Sequence, residues 1–143
     1  MSKSVLCAVD ITQPEMARRV LHQATRLADL DEAHVDVITV VPDFGMSVVG
    51  SYFDEDHTDK AVDGAREALN DLVTEEIGAE ANKSVRHIVA VGTAYDVILA
   101  TAKKAGSDLI VIGAHQPELS DYLLGPNAAR VVRHSDCSVY VVR

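Results

Sequence analysis

Basic residues are scarce in this sequence: 13 Lys and Arg stand against 22 Asp and Glu, giving a formal net charge of −9. Phosphate backbones and anionic lipids are bound by basic surfaces, so this balance argues against nucleic acid or a membrane as a general partner. An anion such as ATP would need locally aimed donors or a metal ion, because the overall field repels it. Long apolar runs are missing as well. None approaches the ~20 residues that cross a bilayer, and the opening MSKSVLCAVD lacks the layout of a signal peptide. The expected location is the cytoplasm. Cysteine is limited to Cys7 and Cys137, both within apolar runs. They read as buried, inert thiols, with a disulfide or redox pair as the alternative. Two catalytic signatures are absent: the phosphate loop ending in Gly-Lys-Ser/Thr and the Gly-x-Ser-x-Gly nucleophile elbow.

What is present is an ordinary globular composition, 48% hydrophobic and 24% charged over 143 residues. That length suits one domain, 1–143, with a two- or three-layer core. Five short apolar runs read as strands: Ser4 to Val9, His34 to Val41, Ser84 to Val91, Asp108 to Gly113 and Ser138 to Val142. Four helical patterns alternate with them. The first is announced by Thr12, Pro14 and Glu15, the makings of a capping box. It carries Ala17, Val20, Leu21, Ala24, Leu27 and Ala28 on one face. The second runs from about Glu55 to Ile77, with Ala61, Ala65, Ala68, Leu69, Leu72 and Val73 inward and Gly78 closing it. The third follows Gly92 and Thr93, with Asp96 near its start and Lys103, Lys104 and Gly106 near its end. The fourth places Ala128, Val131 and Val132 on one face. Strands alternating with helices mean an α/β fold with a mainly parallel sheet. Ligands in such sheets bind beyond the carboxyl ends of the strands, where Asp10, Val41 and Gly113 all fall.

The stretch from Asp108 to Arg133 organises the reading. A buried strand ends at Gly113, where a missing Cβ lets another group come close. A polar loop leads to Gly125, Pro126 and Asn127 and a new helix. A helix start can hold a phosphate through its free N–H groups and dipole, and an ordinary loop is the alternative. Asp10 can bind Mg²⁺ carried on phosphates or act as a cap or loop acid. His115 can touch a phosphate or remain a surface residue. Arg130, Arg133 and His134 suit the negative end of the last helix. The stretch from Pro42 to about Asp54 has no period and reads as a lid, a contact surface or a plain crossover.

The run VIGAHQPELSDYLLGPNAARVVRHSDCSVYVVR and the opening VLCAVDI resemble the universal stress proteins, specifically small single-domain bacterial members. The resemblance covers essentially the whole chain. It implies a three-layer, Rossmann-like fold of the adenine nucleotide alpha hydrolase type. In that fold a five-stranded parallel sheet of order 3-2-1-4-5 carries helices on both faces. It also implies a homodimer through the C-terminal strand and, in one branch, ATP bound with Mg²⁺. By the same resemblance Asp10 faces the metal-bound phosphates or the ribose, and Ile11 belongs to the nucleotide site. Val40 and Val41 frame the adenine, Gly113, His115 and Gln116 line the ribose and phosphates, and Gly125, Pro126 and Asn127 hold the phosphate tail. The ATP-binding pattern has a glycine, two residues, a second glycine, nine residues and a third glycine followed by Ser or Thr. Here Gln116 replaces the second glycine, the next interval is one residue shorter, and Pro126 replaces the Ser or Thr. Proline supplies neither hydroxyl nor N–H. The function expected is a dimeric, ATP-binding regulatory protein of the stress response rather than an enzyme. A nucleotide-free interaction module and a slow ATPase or nucleotidyl-transferring enzyme are the alternatives.

Overall fold

The computed structural model describes residues 3–42, 55–114 and 126–143, the side chains from residue 59 onward in the second segment. In chain order they form β1 (Ser4–Ala8), α1 (Pro14–Asp31), β2 (His34–Val41), α2 (Glu55–Ile77), α3 (Ala79–Asn82), β3 (Arg86–Val91), α4 (Ala94–Ala105), β4 (Leu109–Gly113), α5 (Pro126–His134) and β5 (Ser138–Val142). The strands are parallel in the order β3-β2-β1-β4-β5, as the resemblance implied.

The apolar runs lack alternation because both faces of the sheet are covered. Successive side chains of a strand point to opposite faces. Val5 and Cys7 of β1 join Val37, Val111, Leu21, Leu69 and Val73 in a core beneath α1 and α2. Leu6 and Ala8 join Ile38, Ile110, Ile98 and Val131 in a second core beneath α4 and α5. Leu6 and Cys7 are both 0% exposed. Each fully buried side chain of Leu size contributes roughly 1.5–3 kcal/mol, which is why the centre of the sheet is so uniformly apolar. Burial also pushes the Cys7 thiol pKa well above its ordinary value, so this thiol is inert. Cys137 is free and only half-buried, less enclosed than expected.

Several local expectations change. The capping box does not form: Gln13 is the N-cap of α1 and makes no side-chain capping bond. Thr12 is occupied elsewhere, its hydroxyl donating to Asp10 Oδ1 at 2.6 Å. Thr93 caps α4 by position but without a side-chain bond. Ala68 of α2 is exposed, and Val132 of α5 is 45% exposed. Only the Ala128 and Val131 stripe of α5 meets the sheet. The third strand begins at Arg86 rather than Ser84. Ser84 and Val85 are held in a turn by their N–H bonds to the carbonyls of Ala81 and Asn82, which close the short additional helix α3. Gly78, at φ 90°, separates α2 from α3.

At the amino ends of the strands, Asp36 of β2 is 1% exposed. The Arg86 guanidinium donates to it through Nε at 3.1 Å and Nη2 at 3.0 Å, and His34 Nε2 lies 2.8 Å away. A buried carboxylate needs such partners. This cluster ties β2 to β3 at the end of the sheet opposite the candidate site.

Candidate functional site

A cleft of about 640 Å³ opens at the carboxyl ends of β1, β2 and β4. The volume is typical of small-molecule sites. It lies beside the β1–β4 pair, where the strand order reverses: the chain runs outward from β1 through β2 to β3 and then crosses back to β4, the switch point of a doubly wound sheet. Its floor is formed by Ala8, Val9, Val40, Val41, Ile112 and Gly113. Thr12, Gln13 and Met16 wall one side, and Ala94, Ile98, Pro126, Asn127 and Ala128 wall the other.

The local chemistry follows from how the chain leaves each strand. After β1, Val9 N–H still bonds the Ile38 carbonyl at 2.9 Å, and Asp10 then emerges exposed at the rim. Its Oδ1 accepts from the Thr12 N–H at 2.9 Å and from the Thr12 hydroxyl. Its carbonyl accepts from Gln13 N–H at 3.0 Å. This tight turn delivers the chain into α1 and fixes the Asp10 carboxylate at the cleft mouth. The described bonds use Oδ1 and not Oδ2. Among the described residues no group of three His, Cys, Asp or Glu side chains is gathered. One carboxylate does not make a resident metal site; it suits a cation that arrives already bound to a ligand.

On β2 the two valines separate. Val41 turns its main chain toward β3, its carbonyl accepting from Gly92 N–H at 3.0 Å. In a parallel ladder the neighbouring residue faces the other way, so the main-chain groups of Val40 face the β1 side. They stand just past the last rung there, at the open end of the cleft. Val40 therefore leaves main-chain groups open to the cleft, with Val41 as an apolar wall. Ile11 lines the cleft and is partly buried against the core beneath α1 and α2.

Gly113 lines the cleft and also packs directly against α1. A Cβ there would lie 2.9 Å from Met16 Cγ and 3.1 Å from Val20 Cγ2. The group that approaches the glycine is the side of α1, and the ligand cleft borders this packing. Pro126 and Asn127 are exposed at the start of α5 and line the cleft. Arg130 is directed elsewhere. Its Nη1 donates to the Tyr95 hydroxyl at 3.1 Å, and its guanidinium stacks 4.6 Å from the Tyr95 ring centroid. His115, Gln116 and Gly125 lie outside the described residues, as does the 43–54 stretch. The structure thus brings together Asp10, Ile11, Val40, Val41, Gly113, Pro126 and Asn127. Sequence reasoning missed Thr12, Met16 and Ala94. Thr12 carried a signal, being two residues from an aspartate at a strand end, but it was assigned to the helix cap.

Comparison with known proteins agrees with this architecture. The sequence model of the universal stress protein family matches residues 1–143. Universal stress protein G of Shigella flexneri is 29% identical over 148 residues, covering 100% of both chains. The structure of the universal stress protein from Archaeoglobus fulgidus in complex with dAMP has a TM-score of 0.68 at 20% identity, covering 100% of this chain and 98% of that one. A universal stress protein in complex with cAMP has a TM-score of 0.67 at 20% identity, covering 99% and 97%. With its whole length matched and its five-stranded sheet in the same class of fold, this chain belongs to the universal stress protein family.

Proposed function

We propose that this protein is a dimeric, adenine-nucleotide-binding regulatory protein of the stress response, with ATP among its ligands. The observation that carries the reading is the cleft at the switch point. It has apolar walls for a base, the free main-chain side of Val40 for its edge, and helix starts for phosphate. Structural neighbours in complex with dAMP and cAMP support a nucleotide as the occupant. Mg²⁺ enters only with the nucleotide, opposite Asp10. The fold does not supply an activity, so the proposed role is binding. Cytoplasmic location and a homodimer through β5 belong to the same proposal. Free Cys7 and Cys137 suit a reducing compartment.

The test is to denature the purified protein and identify released small molecules by mass spectrometry. An adenine nucleotide at near-stoichiometric yield is expected. One observation favours a second reading, a nucleotide-free interaction module: Pro126 removes a hydroxyl and an N–H from the start of α5. No released nucleotide, together with no binding of added adenosine or ATP, would favour that module.

A further inference from the structure

Among the described residues that line the cleft, none carries a formal positive charge. Among the described residues, Asp10 is the one charged side chain that lines it. The sequences 43–54 and 115–125, on either side of the described segments, contain no Lys or Arg. Arg130, the nearest basic residue along α5, is engaged by Tyr95. What attracts an anion is instead the main chain: α1, α4 and α5 all begin at this rim. A helix start carries roughly half an elementary charge. Three of them supply about one and a half charges, set against the Asp10 carboxylate at the mouth and against Glu15 and Asp96 in the first turns of α1 and α4. That is far too little to balance a triphosphate, and each phosphate beyond the first adds repulsion from these carboxylates. Proline at the first position of α5 further thins the N–H groups available.

From this, and resting on the nucleotide reading above, we infer that the site selects nucleosides bearing a single phosphate, open or cyclic, over metal-free ATP, with Asp10 setting the discrimination. Without metal, Asp10 repels the added phosphates. With Mg²⁺ on the nucleotide, the same carboxylate becomes a favourable partner of the bound cation. The effect of Asp10 on ATP affinity therefore changes sign with Mg²⁺.

Titration calorimetry with adenosine, AMP and ATP, in EDTA and in excess Mg²⁺, tests this on the wild type and on Asp10→Asn. In EDTA, AMP is expected to bind the wild type roughly tenfold or more tightly than ATP. Asp10→Asn should tighten ATP in EDTA and weaken it in Mg²⁺. ATP bound as tightly as AMP in EDTA, or an Asp10→Asn effect of one sign in both buffers, overturns the inference while leaving the nucleotide reading intact. Failure of all three ligands to bind overturns the nucleotide reading and this inference with it.

Discussion

Pro126 is the residue at which packing and recognition part company. Its fixed φ starts α5 well, and the N–H it lacks is one that the helix would not use. A phosphate would use it. A hydrogen bond to a charged group contributes about 1.5–3 kcal/mol, so restoring one should be measurable. Pro126→Ser is expected to tighten ATP about tenfold and adenosine hardly at all. Equal gains for the two ligands in calorimetry would place the phosphates elsewhere. His87 makes the second residue-scale case. Burial lowers its imidazole pKa below the ordinary value, and its Nε2 lies 2.6 Å from Asn82 Oδ1. Asn82 in turn donates to Asn70 and Thr74, so the Asn82 oxygen accepts and the ring donates as a neutral group. As pH falls through about 6.5, the unfolded chain takes up the proton before the folded one does. Stability from His87 is therefore complete above that pH and is lost below it. Urea unfolding at pH 7.5 and 5.5 should show a smaller acid loss in His87→Gln than in the wild type. Identical losses would remove His87 as a contributor.

Contact between elements decides the role of Gly113. This glycine closes β4 directly against α1, and the space that a Cβ needs is taken by Met16 and Val20. Overpacking of this kind costs about 1–3 kcal/mol. Met16 has a flexible side chain, so Gly113→Ala should lose about 1 kcal/mol in urea unfolding, at the low end. The loss should shrink in a Met16→Ala background, where the obstructing atoms are gone. An equal loss in both backgrounds would mean that the α1 contact is not the reason for glycine. α1 is a demanding neighbour for another reason. Its start is set by the Asp10–Thr12 turn and not by a capping box. Disturbing Asp10 therefore touches the entry to this helix as well as the cleft, and Asp10→Asn is the milder replacement.

At the scale of the molecule, the proposed dimer rests on β5. It is the last strand at one end of the sheet, and an open edge is a template for another strand. A two-fold partner would make the contact isologous. Val141 packs against the core beneath α4 and α5, so a charge there would also weaken the fold. Tyr140 is 37% exposed and lies on the other face of the strand. Tyr140→Asp is expected to shift a wild-type dimer toward monomer in sedimentation or light scattering, with the unfolding midpoint of the monomer little changed. A monomeric wild type at ordinary working concentration would remove β5 as an interface.

Element identity was legible in the sequence because it rests on short-range physics. Doubly covered strands demand uninterrupted apolar runs such as Leu109 to Ile112, and a one-sided helix such as α1 repeats its small and apolar residues every three or four positions. From element type alone the carboxyl-end rim also follows, so Asp10, Val41 and Gly113 were placed on it without coordinates. Strand order came from family resemblance, since periodicity carries no information on which parallel strands are neighbours. Only the tertiary structure separated Val40 from Val41, because the difference depends on where the β1 ladder ends against β2. Only it showed that the space at Gly113 belongs to Met16, and that Thr12 serves Asp10 before it can serve the helix. The same holds for Asp36, whose burial depends on Arg86, fifty residues further along the chain. Each of these is a competition between partners distant in sequence, or between two uses of one side chain. The folded arrangement of neighbours decides which partner prevails.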